Sequence, residues 1–270
     1  DDDFGLAQNL FRDAGDYATS AQLFAEFIRN YPGDPRQADA ALLLARSYAR
    51  SQRCADAISA FEAFYDLHTE HIAAADARRE RADCLQTLGS FGRAAGAYED
   101  VQRLYSEAQY AAASLLSAAA NYARAGDLAN AVRVYEKLQQ GYAAKPEARR
   151  GRYRLAQLRF ASGDAGAAQA LLASISEAAP RSDEARDALL LAGNIHLVLQ
   201  RVAEAEADFR ALHESFGGTA QSDSAYLDLA GYLLARGQHQ QAIAKYASAV
   251  QEIRDSDLGA RARLGHADAL

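Results

Sequence analysis

The chain has 270 residues, half of them hydrophobic and 24% charged, an ordinary globular balance with room for one large domain or two small ones. Its net charge of −7 argues against a general nucleic-acid binder, whose domain is usually basic. No apolar run approaches the roughly 18 residues that a membrane-spanning helix needs.

From the N-terminus, DDDFGLAQNL carries no signal-peptide pattern, and the sequence holds no Met. We therefore expect a piece of a longer protein. The next stretch, GDYATSAQLFAEFIRNYP, sets a skeleton that returns at a fixed step of 37 residues without insertion or deletion. Its small position reads Ser20, Ala57, Ala94, Ala131, Ala168, Ala205 and Ala242. Four residues on stand Phe24, Phe61, Tyr98, Tyr135, Leu172, Phe209 and Tyr246. Three further on stand Phe27, Phe64, Val101, Leu138, Ile175, Leu212 and Ala249. Small, +4, +7 is one face of an α-helix. Five residues before the small position lies Gly15, Gln52, Gly89, Gly126, Gly163, Gln200 or Gly237, a turn. Asp16, Asp127 and Asp164 follow the turn as N-caps, because a carboxylate accepts the orphan N–H groups of a first helical turn.

A second helix precedes each turn, with Gln8, Ala45, Ala82, Ala119, Ala156, Gly193, Ala230 and Ala267 at its small position. Small residues let two helix axes approach, and an aromatic fills the gap beside them. Each unit is thus helix A, tight turn, helix B and connector. Connectors are punctuated by Pro32-Gly33-Asp34-Pro35, Pro146, Pro180 and Gly217-Gly218, and Asp34-Pro35 reads as an N-cap followed by Pro at the first helical position.

Seven copies in register resemble the tetratricopeptide repeat (TPR) family, with small residues at positions 8 and 20, aromatics at 11 and 24, and Pro near 32. Pro32 and Pro180 keep the last of these. The unit here is 37 residues rather than the usual 34, so each connector carries about three more. The family's large aromatic at position 4 survives only as Phe4 and Tyr226; Ala41, Arg78, Leu115, Arg152 and Leu189 replace it elsewhere. The resemblance implies an all-α, right-handed α-solenoid of about seven helix-turn-helix repeats plus a terminal helix. With no low-complexity linker, residues 1–270 read as a single solenoid domain.

No HExxH, GxSxG or phosphate-loop pattern occurs, so no catalytic residue, cofactor or metal is expected. His68 and His71 stand at i, i+3, as one edge of a zinc site would, but no third ligand accompanies them. His196 occupies a slot that holds Tyr48 and Tyr122 in other repeats, which suits a packed or groove-lining histidine. Cys54 begins one helix and Cys84 lies late in the next. This is compatible with a disulfide in an oxidising compartment, but the preferred reading is two semi-buried thiols.

The most unusual segment is KPEARRGRYRLAQLRF, residues 145–160, with a net charge of +5 in an acidic protein. Its charge wraps the helix rather than forming one stripe. In the family, positions 2, 5, 9 and 12 of helix A line the concave groove; in the fifth copy these are Arg150, Tyr153, Gln157 and Phe160. Together with Arg154 and with Asn194 on the next helix A, they form the candidate partner-binding set. Arg supplies a planar donor fork and aromatics supply apolar area. The chaperone-binding carboxylate clamp of Lys and Asn does not carry over: the equivalent positions hold Asp39, Leu42 and Arg46, then Asp76, Arg79 and Asp83, then Ala113, Leu116 and Ala120.

The connector and new Ala-rich helix FIRNYPGDPRQADAALLLARSY, residues 27–48, resemble bacterial cell-envelope TPR proteins, such as the lipoprotein of the outer-membrane β-barrel assembly machine and the Tol–Pal-associated periplasmic protein. The expected function is a non-enzymatic scaffold that binds a peptide or partner domain in a cell-envelope complex. We expect it in the periplasm or at the outer membrane, with the cytoplasm as alternative, and in association with a membrane complex without itself spanning the bilayer. The alternative function is a regulatory or docking domain of a larger enzyme.

Overall fold

A computed structural model describes residues 3–253 and 256–270. Among these are fifteen α-helices and no strand. Helices A are α1 (Asp3–Asn9), α3 (Gln37–Arg50), α5 (Ala74–Thr87), α7 (Ala111–Arg124), α9 (Pro146–Ala161), α11 (Asp183–Val198) and α13 (Ala220–Ala235). Helices B are α2 (Tyr17–Asn30), α4 (Cys54–Leu67), α6 (Phe91–Leu104), α8 (Leu128–Gly141), α10 (Ala165–Ala178), α12 (Val202–Phe216) and α14 (His239–Glu252); α15 (Ser256–Ala269) ends the series. A π-helical turn, Leu10–Ala14, continues α1.

Contacts group the chain into two compact units, Asp1–Ala148 and Arg149–Leu270. Each is built of the helix pairs the register predicts, the all-α solenoid class. The 37-residue register runs unbroken across the boundary, so the sequence alone reads through it. No described helix is long and apolar enough to cross a membrane.

The repeat skeleton is the core. All seven small positions of helix B are fully buried, and every residue at +4 and +7 is buried beside them. Where Ser20 replaces Ala, its hydroxyl donates to the Ala7 carbonyl oxygen at 2.9 Å and lies 3.3 Å from the Ser47 hydroxyl, so burial leaves no orphan polar group. Ala267, the small position of α15, is exposed. In the seven repeats helix B covers that position, and α15 is followed by none among the described residues.

The caps follow the sequence reading, with one correction. Asp16, Asp127 and Asp164 each accept the backbone N–H three residues on, at 3.0–3.1 Å. Asp34-Pro35 does not open a helix: α3 begins at Gln37 after Arg36, and Asp34 sits in the connector. There its carboxylate accepts from the Arg36 backbone N–H at 2.8 Å and from the Arg36 guanidinium at 2.9 Å, which holds its pKa down at about 2. The side chain that could cap a helix is thus taken by a local turn. Pro at the first helical position occurs instead at Pro146.

Every turn from helix A to helix B passes through the left-handed region. Five of the seven turn residues are Gly, and Gln52 and Gln200 adopt it at φ 63°. A side chain there costs about 1–2 kcal/mol, while glycine loses roughly 0.5–1 kcal/mol more backbone entropy on folding. Gln52→Gly and Gln200→Gly are each expected to stabilise the protein by about 0.5–1 kcal/mol. Urea unfolding midpoints check this, and a lowered midpoint for both variants would refute the strain.

Candidate functional site

The predicted binding set lies on α9 and α11 and falls wholly within the unit Arg149–Leu270. Pro146 starts α9, and Ala148, Gly151, Leu155 and Ala156 form its buried side. This leaves Arg150 and Arg154 exposed, with Tyr153 and Gln157 half-buried between core and solvent. Arg154 Nη1 donates to Gln157 Oε1 at 3.0 Å, and its guanidinium carbon lies 5.9 Å from the Tyr153 ring centre, at the outer limit of a cation–π contact. Burial and the Asp187 carboxylate push the Tyr153 phenol up, and Arg154 partly offsets this. Asp187 is itself held by Arg186, at 3.1–3.2 Å.

The structure thus brings Tyr153, Arg154 and Gln157 together. Tyr153 and Phe160 both pack against the cluster formed by Ala156, Ala168, Leu172, Ile175, Ala188, Ala192 and Ile195, so part of each ring serves the core. Asn194 is half-buried on α11, at the position equivalent to Gln157. The other basic residues of the segment point elsewhere: Arg152 Nη1 reaches the Ser174 hydroxyl on α10 at 3.4 Å, and the Arg149 Nε is buried.

The histidines are held in packing roles. His68 and His71 both lie against the Phe64 ring, at 5.6 and 5.2 Å between centres. His71 Nδ1 accepts the Ala73 N–H at 3.1 Å while its Nε2 faces Asp39 at 3.4 Å. His196 Nδ1 lies 2.7 Å from Asp208 Oδ2, tying α11 to α12 within one repeat. Burial pushes the Asp208 carboxyl up, and His196 opposes that shift.

Sequence reasoning missed a more structured surface in the other unit. Arg46 on α3 donates from Nη2 to Glu80 on α5 at 2.7 Å and from Nε at 2.9 Å. One helical turn further along α5, Arg79 pairs with Asp83 at 2.9 Å, and Tyr98 donates its hydroxyl to the same carboxylate. Burial and Asp83 push the Tyr98 phenol far up; burial and Asp76 push Tyr110 up to about 12. Two hollows open here. One, of about 740 Å³, is lined by Arg46, Arg79, Glu80, Asp83 and both cysteines; the other, of about 370 Å³, is lined by Asp76, Arg79, Tyr98 and Tyr110. The signal was present in the sequence: Arg46, Asp76, Arg79 and Asp83 occupy the same helix-A positions, 2, 5 and 9, that singled out Arg150, Tyr153 and Gln157.

Helix pairs with a buried small residue set against a large side chain define a helical-repeat module of the kind that mediates protein–protein interaction and is generally non-catalytic. The chain belongs to the tetratricopeptide repeat family, whose model matches residues 9–72, 42–109 and 153–218. Comparison with curated proteins finds no match. Among solved structures, a tetratricopeptide repeat protein from Parabacteroides merdae is 16% identical, with 97% of each chain covered and a TM-score of 0.53. The C-terminal part of a TPR repeat-containing protein from Cytophaga hutchinsonii is 13% identical, with 96% of this chain and 98% of that one covered and a TM-score of 0.64. The MamA protein is 17% identical, with 67% and 92% covered and a TM-score of 0.53. At these identities the likeness is one of fold.

Proposed function

We propose that this chain is a non-enzymatic scaffold that holds a peptide or partner domain against its helix-A surface. Arg150, Tyr153, Arg154 and Gln157 make the contact, flanked by Phe160 and Asn194. The observation that carries this reading is the state of α9: Arg150 and Arg154 are exposed, and the Arg154 guanidinium lies at the edge of a half-buried tyrosine, Tyr153. Exposed arginine next to an aromatic anchor is the composition of an interface centre. Arginine also favours an acidic partner, because its fork matches a carboxylate bidentately. The working context we propose is a bacterial cell-envelope complex, in the periplasm or at the outer membrane. Its support is the connector style of residues 27–48.

The test is a paired pull-down from an envelope extract with the parent chain and its Arg150→Glu/Tyr153→Ala variant. Circular dichroism first establishes that the variant keeps its helix content. A protein held by the parent and released by the folded variant is the expected result. Equal capture by both would move the interface off α9.

A further inference from the structure

Cys54 and Cys84 are brought together by the fold, 30 residues apart in sequence. Cys54 is the first residue of α4, and Cys84 lies in the last turn of α5. Both are buried, and the Cys54 thiol donates to Cys84 Sγ at 2.9 Å. That separation is closer than unbonded sulfurs normally rest, and a small movement reaches the roughly 2.05 Å of a disulfide. The pair is also not sealed off. Both sulfur-bearing residues line the 740 Å³ hollow, beside the Arg46 and Arg79 guanidinium groups. Burial pushes the Cys84 thiol up and keeps it protonated in the reduced pair.

We propose that Cys54 and Cys84 are a reversible dithiol–disulfide site that clamps the second repeat to the third, in the wall of the hollow that Arg46 and Glu80 also line. The oxidant is a disulfide of low molecular weight, or the exposed disulfide of an oxidoreductase. Cys54 Sγ attacks one of its sulfurs, its proton passing to the departing sulfur, which forms a mixed disulfide and releases one thiol. Cys84 then attacks Cys54 Sγ, its proton passing to the departing sulfur, so a second thiol leaves. Two electrons and two protons move from the protein pair to the oxidant, and one sulfur–sulfur bond replaces two S–H bonds. This site is independent of the α9 interface and lies in the other unit.

The test uses the parent chain, refolded from urea in glutathione buffers of graded redox poise, so that burial does not limit access. Remaining thiols are then blocked with an alkylating agent. The expected result is an intact mass lower by two hydrogens in the oxidising buffers. Tryptic peptides 54–78 and 82–93, which carry one cysteine each, are then recovered joined. Reducing buffer reverses both readouts. The oxidised chain is expected to melt about 5–10 °C above the reduced one, and a Cys54→Ser/Cys84→Ser variant to show no redox-dependent shift. Two alkylated thiols at every poise, glutathione adducts in place of the joined peptides, or chain-to-chain dimers would each overturn the proposal.

Discussion

Phe61→Ala is expected to cost about 3–5 kcal/mol of folding stability, the range for truncating a buried aromatic. Phe61 is fully buried at the +4 slot of α4, with the small Ala57 one turn before it and Phe64 one turn after, both also fully buried. Removing the ring leaves a void that rigid helices on either side close only in part, so the lost contacts add to the lost transfer energy. In a repeat protein each helix pair leans on its neighbours alone, so the damage stays local. Urea unfolding gives the size of the loss, and hydrogen exchange gives its place, with protection reduced most in α3 to α6. Leu67→Ala is the control: Leu67 ends the same helix at 78% exposure, and its truncation is expected to change stability by less than about 0.5 kcal/mol. A Phe61→Ala loss no larger than that of Leu67→Ala would mean that the +4 slot is not the structural lock.

Gly193→Ala is expected to destabilise by about 1–3 kcal/mol, although alanine is the better helix former by about 1 kcal/mol. A Cβ built at Gly193 would meet the Phe209 ring at 2.3 Å, and Phe209 is fully buried, so the ring has nowhere to retreat. Overpacking therefore outweighs propensity. The diagnostic measurement is the double variant. Repeat five carries Ala156 and Leu172 in the equivalent places, both buried. Gly193→Ala combined with Phe209→Leu should therefore recover much of the loss, a coupling of opposite sign to simple addition. If Gly193→Ala alone raises the unfolding midpoint, the close approach of α11 and α12 is not limiting.

Much of the molecule was legible in the sequence because what defines it is local and repeated. The small, +4, +7 face and the turn residue are encoded within about 20 residues, and seven copies in register remove the ambiguity of any one. Asp16, Asp127 and Asp164 could be read as caps because capping is settled within four residues. Asp34 was misread because Arg36, two residues on, competes for the same carboxylate.

The candidate site was legible only in part. Helix-A positions 2, 5, 9 and 12 select residues on one face, but their surroundings depend on the next helix. Arg154 stays in solvent, while Tyr153 and Phe160 are both drawn against the core that Leu172 and Ile175 complete. The Arg46–Glu80 pair joins residues 34 positions apart and the Cys54–Cys84 contact residues 30 apart; helix position makes each one candidate among several, and only packing selects it. Sequence by itself determined the helices, their pairing and the family, since period and capping act over short range. Tertiary structure decided which polar and thiol groups face one another across adjacent repeats, because that depends on the angle and spacing at which whole helices pack.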